Sequence, residues 1–368
     1  MSWITQRFLY YKNILSAHCL VWMSIVLVVL LGCVFQYGVH DGEMGGRFLS
    51  HVYKVCGGLL MISCMFFIDV KRVRHISYLL WFFSFFSLVL VHFFGVSVMG
   101  AQRWISLGFM RFQPSEVMKI AVILAMSQYY SVLHYEEVVR VRSHVIGMLF
   151  VVPPFIMILM QPDLGTALLV LFSGVSVVYV SGIPRRYVHY VLVTFFCALP
   201  FCWNMLHEYQ KKRFLIFLKP ESDINGAGYH IYQSKISIGS GGLLGKGFLQ
   251  GTQARLNFLP EKSTDFIFTT VCEAHGFLGA VFTLLSILAL VLLFWRMSSL
   301  FKDKYCKYAC FGFGVLIFLH LFVNVSMVSG LAPVVGIPMP FISFGGTSLF
   351  SLMFCCGFLL SSLKTLYR

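Results

Sequence analysis

Ten apolar runs, each long enough or nearly long enough to cross a bilayer, divide this chain at about 15–37, 50–69, 76–99, 114–133, 144–160, 164–182, 187–204, 266–295, 308–331 and 340–363. A helix needs about 20 apolar residues to span the hydrocarbon, where backbone polar groups find partners only inside a helix or a closed barrel. The runs predict an all-α fold: a polytopic integral membrane protein of about ten transmembrane helices, a single domain over residues 1–368. Composition agrees, with 58% hydrophobic and 11% charged residues and a mean hydropathy of +0.82, far from ordinary soluble domains. The first run is long enough to span and reads as a helix, not a cleavable signal. Pro153-Pro154 and Pro200 are expected to kink the fifth and seventh helices. The eleven cysteines fall in apolar runs or beside basic loops, so they read as small buried hydrophobes and predict neither a disulfide framework nor a zinc site.

Orientation follows from the basic residues. If ten helices alternate, Arg7, Lys12, Lys71, Arg72, Arg74, Arg140, Arg142, Arg185, Arg186, Arg296, Lys302, Lys304, Lys307, Lys364 and Arg368 share one side, the cytoplasmic one by the positive-inside rule. The opposite short loops carry only Arg47, Arg103 and Arg111. Both termini are then inside, and the long segment 205–264 between helices 7 and 8 is extracytoplasmic. The net charge of +14 belongs to these loops, and no nucleic-acid partner is expected. The long loop is itself basic (Lys211, Lys212, Arg213, Lys219, Lys235, Lys246, Arg255, Lys262). An outward cationic loop calls for an anionic partner, and a lipid phosphate or diphosphate fits.

Asp265 sits where that loop re-enters an apolar helix, in Leu259-Pro260-Glu261-Lys262-Ser263-Thr264-Asp265-Phe266. Ionisable groups at membrane depth mark functional sites by default, yet Asp, Ser and Thr also cap helices, and position alone leaves both readings open. Glu116 and Lys119 lie at i and i+3 at the start of the fourth helix, inside Arg111-Phe112-Gln113-Pro114-Ser115-Glu116-Val117-Met118-Lys119. They form either part of a polar site or a structural pair. Asp163 is best placed as the N-cap of the sixth helix. Gly239 to Gly247 fails the P-loop pattern; its glycines offer either amides to an anion or simple loop flexibility. Lys54 and His275 read as internal structural contacts. Glu273 is about 12 Å deeper than Asp265 and some 80° around an ideal helix, so the two are no paired-carboxylate site. Pro333, Pro338, Pro340 and Gly345-Gly346 break the approach to the last helix, as happens where a chain lines a cavity.

Taken in order, Arg111 to Lys119, Gln161 to Thr166, Gly239 to Gly247, Gly251-Thr252-Gln253, Leu259 to Phe268 and Gly336 to Gly346 resemble the SEDS family of cell-wall glycosyltransferases. Met327-Val328-Ser329-Gly330 and Gly336-Ile337-Pro338 point to its RodA branch. The resemblance implies polymerisation of lipid II into glycan strands in the bacterial inner membrane, during elongation and shape maintenance. It implies a class B penicillin-binding transpeptidase and other elongation-complex membrane proteins as partners. It also implies that Asp265 matches the family's essential acid, a general base for the acceptor sugar's 4-hydroxyl. Arg111, Glu116 and Lys119 match its polar positions. Lys119, Arg111 and Arg213 would then balance charge on the departing undecaprenyl diphosphate, with Lys235 and Glu261 as further substrate-binding candidates. No cofactor is certain; a divalent cation (Mg or Mn) at the diphosphate is the one candidate, without a ligand cluster to support it. The chain departs from the family pattern at Ser263, where His is common, and at Ala274, which replaces the second of two adjacent acids. A lipid II flippase would use the same cavity without a base, and a scaffold for the wall-synthesis complex would tolerate charge changes at all these positions.

Overall fold

The structure is a computed structural model that describes residues 3–98, 101–106, 111–184, 186–187, 211, 215–217, 227–251 and 261–366. Its helices are α1 (Trp3–Val39), α2 (Gly46–Phe67), α3 (Val70–Phe94), α4 (Pro114–Val132), α5 (Tyr135–Val138), α6 (Val141–Met148), α7 (Val152–Met160), α8 (Leu164–Val180), α9 (Ala227–Ser240), α10 (Ile267–Leu300), α11 (Lys304–Val328) and α12 (Gly346–Leu363). Nine of the ten expected runs have helical counterparts here, α6 and α7 together making the fifth. Beyond Tyr187 the seventh run, Pro200 included, lies outside the described residues. Seven spans among the described residues are long and apolar enough to cross a membrane by length and composition alone.

Three expectations need correction. The third helix stops at Phe94, because Gly95 turns extended and the β-branched Val96 and Val98 enter a small antiparallel sheet. In it β1 (Val96–Val98) pairs with β2 (Ala101–Ser106), and β2 pairs with β3 (Arg111–Phe112). Pro153 and Pro154 do not kink a continuous helix; they occupy the first turn of α7, where a missing N–H costs nothing, and the chain turns between α6 and α7. The last helix begins at Gly346, not near 340, leaving 331–345 non-helical.

Burial divides the bundle. Nearly every residue of α4 is buried, and α12 is the most enclosed of the apolar spans, whereas α3 is the least. The inner group of α4, α8, α10, α11 and α12 is flanked by α1, α2, α3 and α7, whose apolar outer faces suit lipid. Without a hydrophobic force between helices in lipid, close packing and interhelical hydrogen bonds hold such a bundle.

The glycine-rich turn is a packing device and not an anion cradle. Helix α10 breaks at Gly276 (φ 64°, ψ −162°), and the turn pairs with the break. Lys246 N–H donates to Glu273 O (2.9 Å), Gly247 N–H to Ala274 O (3.1 Å), Phe277 N–H to Gly242 O (2.9 Å) and Leu278 N–H to Leu243 O (3.2 Å). The amides of Lys246 and Gly247 are thus committed to α10, and those of Gly241, Gly242 and Gly245 to carbonyls of α9 and the turn itself. A Cβ on Gly245, at φ +82°, would stand 2.3 Å from Ala274 O. Gly245→Ala is therefore expected to lower stability by roughly 2–6 kcal/mol, the sum of left-handed strain and overpacking. Gly239→Ala, with nothing within 4 Å of its Cβ, should leave the thermal midpoint of the purified protein unchanged.

Candidate active site

The cap position of α10 falls on Phe266, which makes no side-chain cap bond, so Asp265 stands one residue before the cap instead of serving as it. Its surroundings come from far along the chain. Asn324 on α11 donates from Nδ2 to Asp265 O (2.9 Å) and to Ile337 O (2.7 Å). Ser343 Oγ donates to Thr264 O (2.6 Å) and accepts from Met339 N–H (2.8 Å). Gln36 on α1 donates from Nε2 to both Ser263 O and Ile342 O at 2.9 Å, and Phe344 N–H donates to Ser263 O (2.8 Å). These bonds stitch 261–266 onto the non-helical segment 336–344. The carboxylate points to Gly336, whose absent Cβ would lie 3.3 Å from Asp265 Oδ2. Asp265 is half-buried, while Phe266, Ile267 and Phe268 behind it are buried. The result is an acid on a backbone fixed from three sides, at the edge of the bundle.

Glu116 and Lys119 lie in a sealed network beneath it. Lys119 Nζ is 2.8 Å from Glu116 Oε1 and 2.9 Å from His320 Nε2. His320 Nδ1 is 2.8 Å from Leu316 O, which fixes that nitrogen as the protonated one and leaves Nε2 to accept from the ammonium. Ser351 Oγ on α12 donates to Glu116 Oε2 at 2.9 Å. Lys119 is 1% and His320 0% exposed. The lysine thus meets no solvent here, and the expected direct contact of Lys119 and Glu116 with a diphosphate has no surface on which to occur. His320 and Asn324 stand four apart on one face of α11, so one helix face joins the buried network to the Asp265 backbone.

The other candidates divide. Glu261 is half-buried and accepts from Thr264 Oγ1 at 2.7 Å, shaping the turn before Asp265. Lys235 is exposed on α9, its stem crossing Gly330 at the end of α11. Arg111 lies in β3 opposite Ser106, its side chain outside what is described, and Arg213 lies outside the described residues altogether. Asp163 caps α8 by accepting from Thr166 N–H at 3.2 Å, as expected, and lies 3.7 Å from Arg103 Nη1. Glu273 is fully buried and holds Lys246 Nζ at 2.7 Å. His275 packs between Phe35 and Phe248. Among the described residues no group of three or more His, Cys, Asp or Glu comes together to hold a metal. Outside the spans, burial holds the Lys262 ammonium below its ordinary pKa, with Asp41 opposing the shift.

A many-helix domain with spans apolar enough to cross a membrane, and an acid whose backbone is fastened to a broken helix near a buried lysine network, defines a class of membrane proteins. Residues 12–367 match the FTSW_RODA_SPOVE cell cycle protein family, and the chain belongs to that family. It is similar to the peptidoglycan glycosyltransferase MrdB of Escherichia coli (strain K12), 36% identical over 342 residues that cover 92% of this chain and 91% of the relative. MrdB of Helicobacter pylori (strain J99) is 37% identical over 304 residues, covering 80% and 77%. Among solved structures it is similar to a chain of a peptidoglycan synthase complex that coordinates polymerization and crosslinking, with 27% identity, TM-score 0.83 and coverage of 95% and 98%. It is also similar to the rod shape-determining protein RodA of Thermus thermophilus, with 25% identity, TM-score 0.71 and coverage of 95% and 97%.

Proposed function

We infer that this chain is a peptidoglycan glycosyltransferase that polymerises lipid II during cell-wall elongation. The observation that carries the reaction is the half-buried Asp265 carboxylate on a backbone pinned by Asn324, with Ser343 and Gln36 fixing the two residues before it. Fixed geometry is what general-base catalysis needs. Asp265 takes the proton of the acceptor sugar's 4-hydroxyl as that oxygen attacks the anomeric carbon of the second lipid-linked sugar. One C–O bond forms, the bond to the diphosphate breaks, and the anomeric centre inverts. Lys119 and Glu116 act by position: they lock α4, α11 and α12 together and so hold Asn324 in register. Charge on the leaving diphosphate falls to the outward basic residues. The protein works beside a class B penicillin-binding transpeptidase, a reading supported by the likeness to the synthase complex.

The chain is a multi-pass membrane protein, placed in the bacterial inner membrane with both termini cytoplasmic and 205–264 outside. Cysteine-accessibility labelling tests this: Lys262→Cys should react with an impermeant reagent in intact cells and Lys302→Cys only after lysis. The reverse pattern would put Asp265 on the wrong face for building an external polymer. Reconstituted protein given lipid II should yield glycan strands resolvable on a gel. Lipid transport without polymer would favour a flippase, and neither activity would favour a scaffold.

A further inference from the structure

A guanidinium presents five N–H donors in a rigid fork, and what the fork grips decides whether an arginine meets a substrate or holds a structure. Arg103 in β2 turns all three of its nitrogens toward the bend between α7 and α8. Its Nε donates to Gln161 O (3.2 Å) and its Nη2 to Pro162 O, while Nη1 stands 3.7 Å from Asp163 Oδ2. The bend is itself anchored. Gln161 Nε2 donates to Leu88 O on α3 at 2.9 Å, and the buried Asp163 accepts from Thr166 N–H at the start of α8. Gln113 Nε2 reaches the same Asp163 Oδ2 at 3.5 Å; Gln113 is the N-cap residue of α4, where its side chain makes no cap bond. One carboxylate thus joins the hairpin, α4 and α8, and Arg103 closes the joint.

The joint lies between two groups that the reaction uses. On one side, Arg103 is three residues from Ser106, the partner of Arg111 in the β2–β3 pair, about 10 Å along the strand. On the other, the first turn of α8 abuts the wall of the acid. A Cβ on Gly165 would be 3.1 Å from Val335 O and from the Ile337 side chain, and a Cβ on Gly336 between them would be 3.3 Å from Asp265 Oδ2. Asn324 holds Ile337 O and Asp265 O together. We propose that Arg103 is a positioning residue for polymerisation: it clamps the hairpin to the α7–α8 bend and so sets the strand that carries Arg111 against the segment that walls Asp265. The proposal rests on the glycosyltransferase reading, in which Arg111 meets charge on the leaving diphosphate while Asp265 takes the proton. Both events belong to one transition state, where a shift of about 1 Å transmitted from a distance costs on the order of 10²-fold in rate. Lysine at 103 would keep a charge beside Asp163 but has no planar fork for two successive carbonyls.

The test compares full-length parent, Arg103→Met, Arg111→Met and the double variant in nanodiscs, by steady-state polymerisation of lipid II and by hydrogen exchange of the hairpin amides. Arg103→Met should lower kcat about tenfold or more and change KM for lipid II by less than about threefold, because the loss falls on the transition state. The double variant should be slower than Arg111→Met by no more than about twofold, since one residue acts through the other. The amides of Ile105, Ser106 and Phe112 should exchange about tenfold faster in Arg103→Met, with those of Ile267 and Phe268 unchanged. Arg103→Lys should show the same pattern at smaller size, and it carries the cycle where the Met variant does not fold. A merely structural arginine predicts losses that multiply in the double variant, and that result would overturn the positioning role. Unchanged hairpin exchange in a parent that polymerises would overturn the clamp alone. A parent that makes no polymer would overturn the glycosyltransferase reading and the positioning role with it.

Discussion

Asp265→Asn is expected to fold, insert and bind its partner normally while polymerisation falls by something like 10²–10⁴-fold, the usual size of a lost general base. Asn matches Asp in volume, and Asn324 holds residue 265 through its backbone carbonyl, which the substitution leaves in place. The substitution therefore removes the proton acceptor and leaves the scaffold. Purified variant and parent, matched by thermal midpoint, should be given lipid II and their glycans sized. Near-normal polymer from Asp265→Asn would sink the catalytic role. A flippase predicts unimpaired transport in this variant. A capping role, already displaced by Phe266 at the cap position, predicts silence because Asn caps as well as Asp.

The second large effect concerns stability. Removing Glu116 alone leaves the Lys119 ammonium, 1% exposed, with His320 as its remaining partner in the network. Breaking one side of a buried ion pair costs about 3–5 kcal/mol, so Glu116→Ala should lower the thermal midpoint sharply. Glu116→Leu with Lys119→Met replaces both charges by apolar groups of similar size, and such exchanges are often neutral. The double variant should recover most of the lost stability. If the single change were as stable as the parent, Glu116 and Lys119 would not be a mutually dependent buried pair. Recovery of stability without recovery of polymerisation would locate their role in positioning α11; recovery of both would make them structural alone.

Much of this was legible in the chain. Run length and apolarity determined the helices, because a bilayer leaves the backbone no other way to satisfy its polar groups. Asp163 as a cap and the broken approach to the last helix were readable from local chemistry, since capping and glycine–proline breaks act within a few residues. Asp265 stood out because an acid at a membrane edge is costly. His320 and Asn324, four apart in an apolar run, carried the same signal and went unread; so did Gln36, within the first run.

What only the tertiary structure decided is who meets whom. Lys119 looked like an anion-binding group because burial cannot be read from an isolated ammonium; His320, 201 positions away, and Ser351, 235 from Glu116, turn it into an internal strut. The glycine-rich turn read equally as an anion cradle or a flexible loop until the carbonyls of Glu273 and Ala274 took the amides of Lys246 and Gly247. Sequence alone set the helices and the position of the acid, because those follow from local solvation in lipid. The partners of each polar group depend on which helices pack together, and that is a long-range property no single run encodes.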